Sequence, residues 1–142
     1  MNILVISPAI YPCVIGGVEI FNYYLIKGLV KKGNKIWVIT NCSYDWNHRN
    51  IHLVKVNERF LLNPTLSTLF HLFLELITLK RKIDVIHVPY TSNSILAYPI
   101  LFARKFLNIQ YIIIIHGGGM RPWKPKILHK IFFMCANTIV AV

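Results

Sequence analysis

NILVISPAIYPCVIGGVE, residues 2–19, is the stretch whose reading decides the fold. Ile3-Leu4-Val5-Ile6-Ser7 is a continuous apolar run rich in β-branched residues, the pattern of a strand buried on both faces. Gly16-Gly17-Val18-Glu19 follows it, just ahead of an amphipathic helical period. A strand feeding a glycine-bearing loop and then a helix is the opening unit of a parallel α/β sheet. Without Cβ atoms, bare backbone N–H groups at the positive end of that helix can approach an anion, which points to a phosphate-bearing ligand. A tight turn needing positive φ is the plain alternative, and the glycine pair alone does not separate the two.

The same alternation continues to the end of the chain. The helix after the glycine pair spans about Glu19 to Lys32, with Phe21, Tyr24, Leu25, Gly28 and Leu29 on one face and Lys27, Lys31 and Lys32 away from it. Glu19 in its first turn and lysines in its last suit the macrodipole, and Gly33 stops it. Lys35–Thr40 and Ile51–Val56 read as strands two and three, joined by the polar loop Asn41–Asn50. Asn63-Pro64 opens a helix running to about Arg81 that is apolar around most of its circumference, with a narrow polar stripe of Thr68, His71, Glu75 and Thr78. Asp84–Pro89 is strand four. Ser94–Leu107 is helical, with Pro99 delaying its start or kinking it. Tyr111–Ile115 is strand five, Pro125–Ala136 a helix with Ile127, Leu128, Ile131 and Phe132 inward, and Thr138–Val142 strand six.

Repeated strand–helix–strand units with near-continuous apolar strands mean a doubly wound, mostly parallel Rossmann-like α/β sheet with helices on both faces. Right-handed crossovers predict the strand order 3-2-1-4-5-6. The 142 residues make one domain, and the chain stops inside or just after a strand, so a following element is expected.

Sixteen Lys+Arg against five Asp+Glu give a formal charge of +11, and no acidic residue follows Asp84. A mean hydropathy of +0.51 with 55% hydrophobic residues is high for a domain of this size and leaves apolar surface for a partner. The basic residues form no stripe interleaved with aromatics and match no reader motif, so nucleic acid is not expected as a partner. An anionic membrane surface, met peripherally, is compatible with the charge and with the apolar helix. No apolar run reaches the ~18 residues of a spanning helix, and the chain opens on a strand pattern rather than a signal peptide. Cys13, Cys42 and Cys135 have no paired spacing for zinc or redox work, so reduced thiols in a cytoplasmic protein are expected.

In such a sheet, ligands bind outside the carboxyl ends of the strands, at the switch point between strands one and four. Three segments meet there: Pro8–Glu19, Pro89-Tyr90-Thr91-Ser92-Asn93, and His116-Gly117-Gly118-Gly119. His116 ends an all-isoleucine strand, where a polar residue has no packing reason to stand. Its imidazole is placed to hydrogen-bond a hydroxyl or share a proton at the cleft mouth. The glycines after it let backbone pass close to a ligand. His87 lies inside strand four, where a satisfied core histidine is the expectation. His48 and His52 are four apart but lack a carboxylate cluster, and Asp45 and Asp84 are too far apart for a D-x-D pair, so no metal is expected. G-x-G-x-x-G, P-loop and G-x-S-x-G patterns are missing, so a nicotinamide or flavin cofactor is not expected either.

These residues together resemble the N-terminal, acceptor-side domain of a family 4 glycosyltransferase of GT-B fold. The likeness rests on Asn2–Pro12, Gly16-Gly17-Val18-Glu19, Asp84-Val85-Ile86-His87, Ile115-His116-Gly117 and the closing Ala136–Val142, in that order and spacing. It implies a metal-independent retaining enzyme moving a sugar from a nucleotide diphosphate donor to a glycan, lipid-linked or small-molecule acceptor. Gly16 and Gly17 would lie against the donor phosphates, and His116 would contact the transferred sugar as the catalytic residue. Glu19, Tyr90, Thr91, Asn93, Gly117 and Gly118 would border the acceptor. Two departures stand out. Pro89 occupies a place where members often carry a second histidine, and the family's second Rossmann-like domain, which holds the nucleotide, has no counterpart in residues 1–142. The donor half is therefore expected from a longer reading frame or a partner chain, and residues 1–142 alone are expected to bind poorly and catalyse little. The other reading of the same residues is a non-catalytic Rossmann-like module that binds a phosphorylated metabolite or scaffolds an assembly.

Overall fold

The computed structural model describes residues 1–7, 9–43, 46–56, 66–89, 97–116 and 127–141. In chain order the elements are β1 (Asn2–Ile6), α1 (Gly17–Lys31), β2 (Lys35–Thr40), β3 (Ile51–Lys55) and α2 (Leu66–Leu79). They continue with β4 (Val85–Pro89), α3 (Ala97–Phe106), β5 (Gln110–Ile115), α4 (Ile127–Met134) and β6 (Thr138–Ala141). The strands form one six-stranded sheet in the order β3-β2-β1-β4-β5-β6, every pair parallel. The order expected from right-handed crossovers is the order found.

Because side chains alternate across a strand, each strand feeds two cores. Leu4, Ile6, Ile39, Ile86, Val88, Tyr111 and Ile113 pack with Leu72, Leu76 and Leu79 of α2, Ile100 and Ala103 of α3, and Phe132 of α4. Ile3, Val5, Ile36, Val38 and Val85 face the other way and pack with Ile26 and Val30 of α1. Full burial contributes roughly 1.5–3 kcal/mol per large aliphatic side chain, so these two layers hold the fold. Tyr111 is wholly buried, stacked on Phe132 with ring centroids 5.1 Å apart, and its hydroxyl donates to the Phe132 carbonyl.

Several expectations need correction. The face of α1 that enters the core is Asn22, Ile26 and Val30, about one residue round from the face expected, and Tyr24 is 63% exposed. The apolar residues of α1 outnumber what one face can hold, so periodicity alone misplaces the seam. Ile131 of α4 points outward while Phe132 is buried. On α2 the buried stripe is Leu72, Leu76 and Leu79, and Phe70, Leu74 and Ile77 stay exposed. Pro99 is the third residue of α3 as described, and it is buried. The Asn63-Pro64 helix start lies outside the described residues.

The reduced-thiol expectation is also overturned for two of the three cysteines. Cys13 and Cys42 form a disulfide with a Cα–Cα separation of 5.9 Å, and only Cys135 is free and exposed. Spacing along the chain hides the pairing: Cys13 lies in the loop after β1 and Cys42 just beyond β2, and these neighbouring parallel strands end at the same edge. The cysteines therefore no longer point to a cytoplasmic location. Among the described residues, no helix is long and apolar enough to cross a membrane.

Candidate functional site

All six strands run the same way, so their carboxyl ends, the start of α1 and the β1–α1 loop share one edge. Helix α1 begins there with Gly16 as N-cap, in extended backbone and with no side chain capping the first turn. The free N–H groups of that turn are an anion-binding pole. The half-buried Glu19 occupies part of it: a Cβ placed on Gly16 would run into the Glu19 carboxylate. A negatively charged side chain at a helix N-terminus is favourable by about 0.3–1 kcal/mol. A ligand phosphate coming to the same pole has to displace that carboxylate. Nothing lies within 4 Å of a Cβ built on Gly17, so its side of the turn is open.

Strand parity gathers a second group beneath this pole. Ser7 continues Ile3 and Val5 on the α1 side of β1, and His87 stands on the same side of β4, level with Val5. His116 extends the Ile112–Ile114 row of β5 to the same side. From α1, Phe21 meets His116 edge-on with ring centroids 4.8 Å apart. Asn22 is fully buried and donates from Nδ2 to Ser7 Oγ at 3.0 Å, while Ser7 donates on to the Ala9 carbonyl at 2.7 Å.

What this group leaves unsatisfied is its main property. Asn22 Oδ1, both ring nitrogens of His87 and His116 Nε2 are buried with no hydrogen-bond partner among the described residues. An orphaned buried polar group costs about 1–3 kcal/mol, and native interiors contain few. His87 is 5% exposed. Burial, with the nearby His116 charge adding to it, pushes its pKa down to about 4, so His87 is held neutral. Neutral imidazole offers both a donor and an acceptor, and the cluster can accommodate a ligand hydroxyl or an ordered water.

Of the expected site residues, the structure brings Gly16, Gly17 and Glu19 at the start of α1 to the same edge as His116 at the end of β5. Tyr90, Thr91, Asn93, Gly117 and Gly118 lie outside the described residues. His87 is buried, as expected of a core histidine, but it is not satisfied, and Asn22 and Ser7 are additions that the sequence reading misses. A signal for two of the three lies in the parity of the strands: Ser7, His87 and His116 are polar residues on one side of otherwise apolar rows. Among the described residues, no three His, Cys, Asp or Glu side chains come together in a way that could hold a metal.

The family model described as Glycosyltransferase Family 4 matches residues 15–142. The chain belongs to glycosyltransferase family 4. Among curated proteins it is similar to a subunit of the human phosphatidylinositol N-acetylglucosaminyltransferase, 29% identical over 126 residues. That alignment covers 82% of this chain and 25% of the human protein, so the chain spans about a quarter of the length of the relative it matches. The parallel sheet and its two helix layers agree with the Rossmann-like fold expected from the family resemblance.

Proposed function

We propose that this family 4 chain forms the acceptor-side half of a retaining glycosyltransferase, acting on a nucleotide diphosphate sugar. The donor-binding half would come from the remainder of a longer protein or from a partner chain. The observation that carries the reading is the unsatisfied cluster of Asn22, His87 and His116 beside the uncapped start of α1. One side of this arrangement suits an anionic leaving group and the other suits a sugar hydroxyl. In this mechanism, Gly16 and Gly17 present backbone N–H groups to the diphosphate as Glu19 swings aside. His116 contacts the transferred sugar where charge develops. Catalysis then rests on stabilising the leaving group and positioning the acceptor, with neither metal nor organic cofactor.

A lipid-linked acceptor is favoured within this reading. The human relative's name describes transfer of N-acetylglucosamine to phosphatidylinositol. The formal charge of +11 supports peripheral contact with an anionic membrane.

Titration of the isotope-labelled chain with nucleotide sugars and with the matching plain nucleotides tests the reading by NMR. Nucleotide sugars are expected to shift the Gly16–Glu19 amides and the His116 ring together. His116→Ala is expected to weaken binding of the sugar-bearing ligands at least tenfold while sparing plain nucleotides. Equal binding of both ligand sets, unchanged by His116→Ala, would instead favour a non-catalytic module for phosphorylated metabolites.

A further inference from the structure

The opposite edge of the sheet carries a different concentration of chemistry. Strand starts and helix ends collect there, and so do Lys31 and Lys32 at the end of α1, Lys35 opening β2, Lys80, Arg81 and Lys82 after α2, and Arg104 and Lys105 at the end of α3. These are half of the chain's sixteen cations. Asp84 is the one acid at this edge among the described residues, and its carboxylate accepts the Asn2 backbone N–H at 2.7 Å.

Within this edge lies an open basin of about 400 Å³, lined by Asn2, Lys35, Trp37, His52, Arg81 and Lys82. Its framework is the sheet itself: Asn2 is in register with Lys35, and Trp37 with His52. The Trp37 and His52 rings stack with centroids 5.1 Å apart and an interplanar angle of 30°, which gives the basin an aromatic wall. No acidic side chain lines the basin among the described residues. Favourable interaction with a helix carboxyl terminus accounts for cations just after α2. It does not account for Lys35, which opens a strand, nor for the convergence of three cations on a hollow with a ring wall. None of Lys35, Arg81 and Lys82 has an ion-pair partner among the described residues. Like charges held around one hollow repel one another, and a multivalent anion between them turns that repulsion into attraction.

We propose that this basin binds a phosphate-bearing ligand, its phosphate oxygens held by Lys35, Arg81 and Lys82 and its carbon skeleton against the Trp37–His52 wall. Arg81 supplies a fork for two phosphate oxygens and the lysines supply point charges. The site faces away from His116 across the length of the strands, so it is independent of the transferase reading. Its ligand is either a soluble phosphorylated molecule or the phosphorylated headgroup of a lipid.

The test is thermal unfolding of the whole chain in pyrophosphate at constant ionic strength. The variant Lys35→Gln/Arg81→Gln/Lys82→Gln is compared with Lys27→Gln/Lys55→Gln/Lys130→Gln, which removes the same charge from exposed positions that do not line the basin. Pyrophosphate is expected to raise the melting temperature of the native chain and of the second variant, and to bind the first at least tenfold more weakly. Equal loss in both variants overturns the proposal. Co-sedimentation with phosphatidylcholine vesicles carrying phosphatidylinositol 4-phosphate separates the sources. Binding lost with the first variant supports a lipid headgroup, whereas binding of pyrophosphate without vesicle binding supports a soluble ligand. Failure to bind either probe overturns the site.

Discussion

The two edges of this one sheet are opposites in charge and in solvation. At the carboxyl edge, polar groups are buried and unsatisfied: His87, His116 and Asn22 have no partners for four of their ring and amide atoms among the described residues. At the amino edge, polar groups are exposed and charged, and Lys35, Arg81 and Lys82 converge on an open basin. The contrast follows from topology. Parallel crossovers send every helix back toward the strand starts, so helix ends rich in lysine and arginine collect at the amino edge. The carboxyl edge receives helix starts and loops, where buried polar side chains can approach a ligand. The first edge can attract an anion over a distance; the second can discriminate among hydroxyl groups only after water has left.

The largest expected effect concerns the disulfide, which ties the carboxyl edge alone. Cys13 and Cys42 are 29 residues apart in sequence. In the chain-entropy account, closing such a loop is worth roughly 3–4 kcal/mol. Denaturant unfolding with and without reductant is expected to show a loss of that order. The pyrophosphate response of the amino edge should persist in the reduced chain, and its disappearance would show that the two edges are not independent.

The next effect comes from the neutral His87. In the folded chain its pKa is lowered to about 4, and on unfolding it returns toward its ordinary value near 6.5. Between these values the unfolded chain takes up a proton that the folded chain refuses. This contribution is therefore fully present above pH 6.5 and is lost as the pH falls toward 4, by up to about 3 kcal/mol. His87→Gln, which keeps a hydrogen-bonding side chain without the titration, is expected to flatten the slope of stability against pH in that window. The three-fold Lys/Arg variant of the amino edge is expected to keep it.

The smallest effects separate two glycines of α1, one near each edge. Gly16 has φ −160°, extended backbone open to any residue, so Gly16→Ala is expected to cost less than about 1 kcal/mol. Its new methyl group should nevertheless push the Glu19 carboxylate aside, which NMR shifts of Glu19 would report. Gly28, toward the other end of the helix, has nothing within 4 Å of a built Cβ. Gly28→Ala is expected to stabilise the chain by about 0.5–1 kcal/mol through helix propensity alone, without any change at Glu19.

Much of the fold is legible in the chain because its signals are local. The runs Ile3–Ser7, Lys35–Thr40 and Tyr111–Ile115 announce buried strands, and Gly33 punctuates α1 where the structure ends that helix. The site is only partly legible. His116 stands out as a polar residue ending a run of isoleucines, and the glycine pair stands out by its place after the first strand. Asn22 does not, since a polar residue on a helix ordinarily marks the solvated face. On α1 it marks the buried one, because its amide finds Ser7 across 15 residues of sequence. His87 is legible as buried but not as unsatisfied, because satisfaction depends on neighbours brought in from β5 and α1.

By itself the sequence determined the alternation of strands and helices, the strand order, and the placement of a glycine loop and a histidine at one edge. These follow from apolar periodicity and from the handedness of crossovers, both properties of short stretches of chain. Only the tertiary structure decided that Cys13 meets Cys42, which face of α1 is buried, and that Glu19 occupies the pole beside Gly16. It also decided that two histidines and an asparagine share one buried cluster while half the cations share the opposite edge. Those outcomes depend on distance in space between residues far apart in sequence, and that distance is fixed only once the sheet has closed around its two cores.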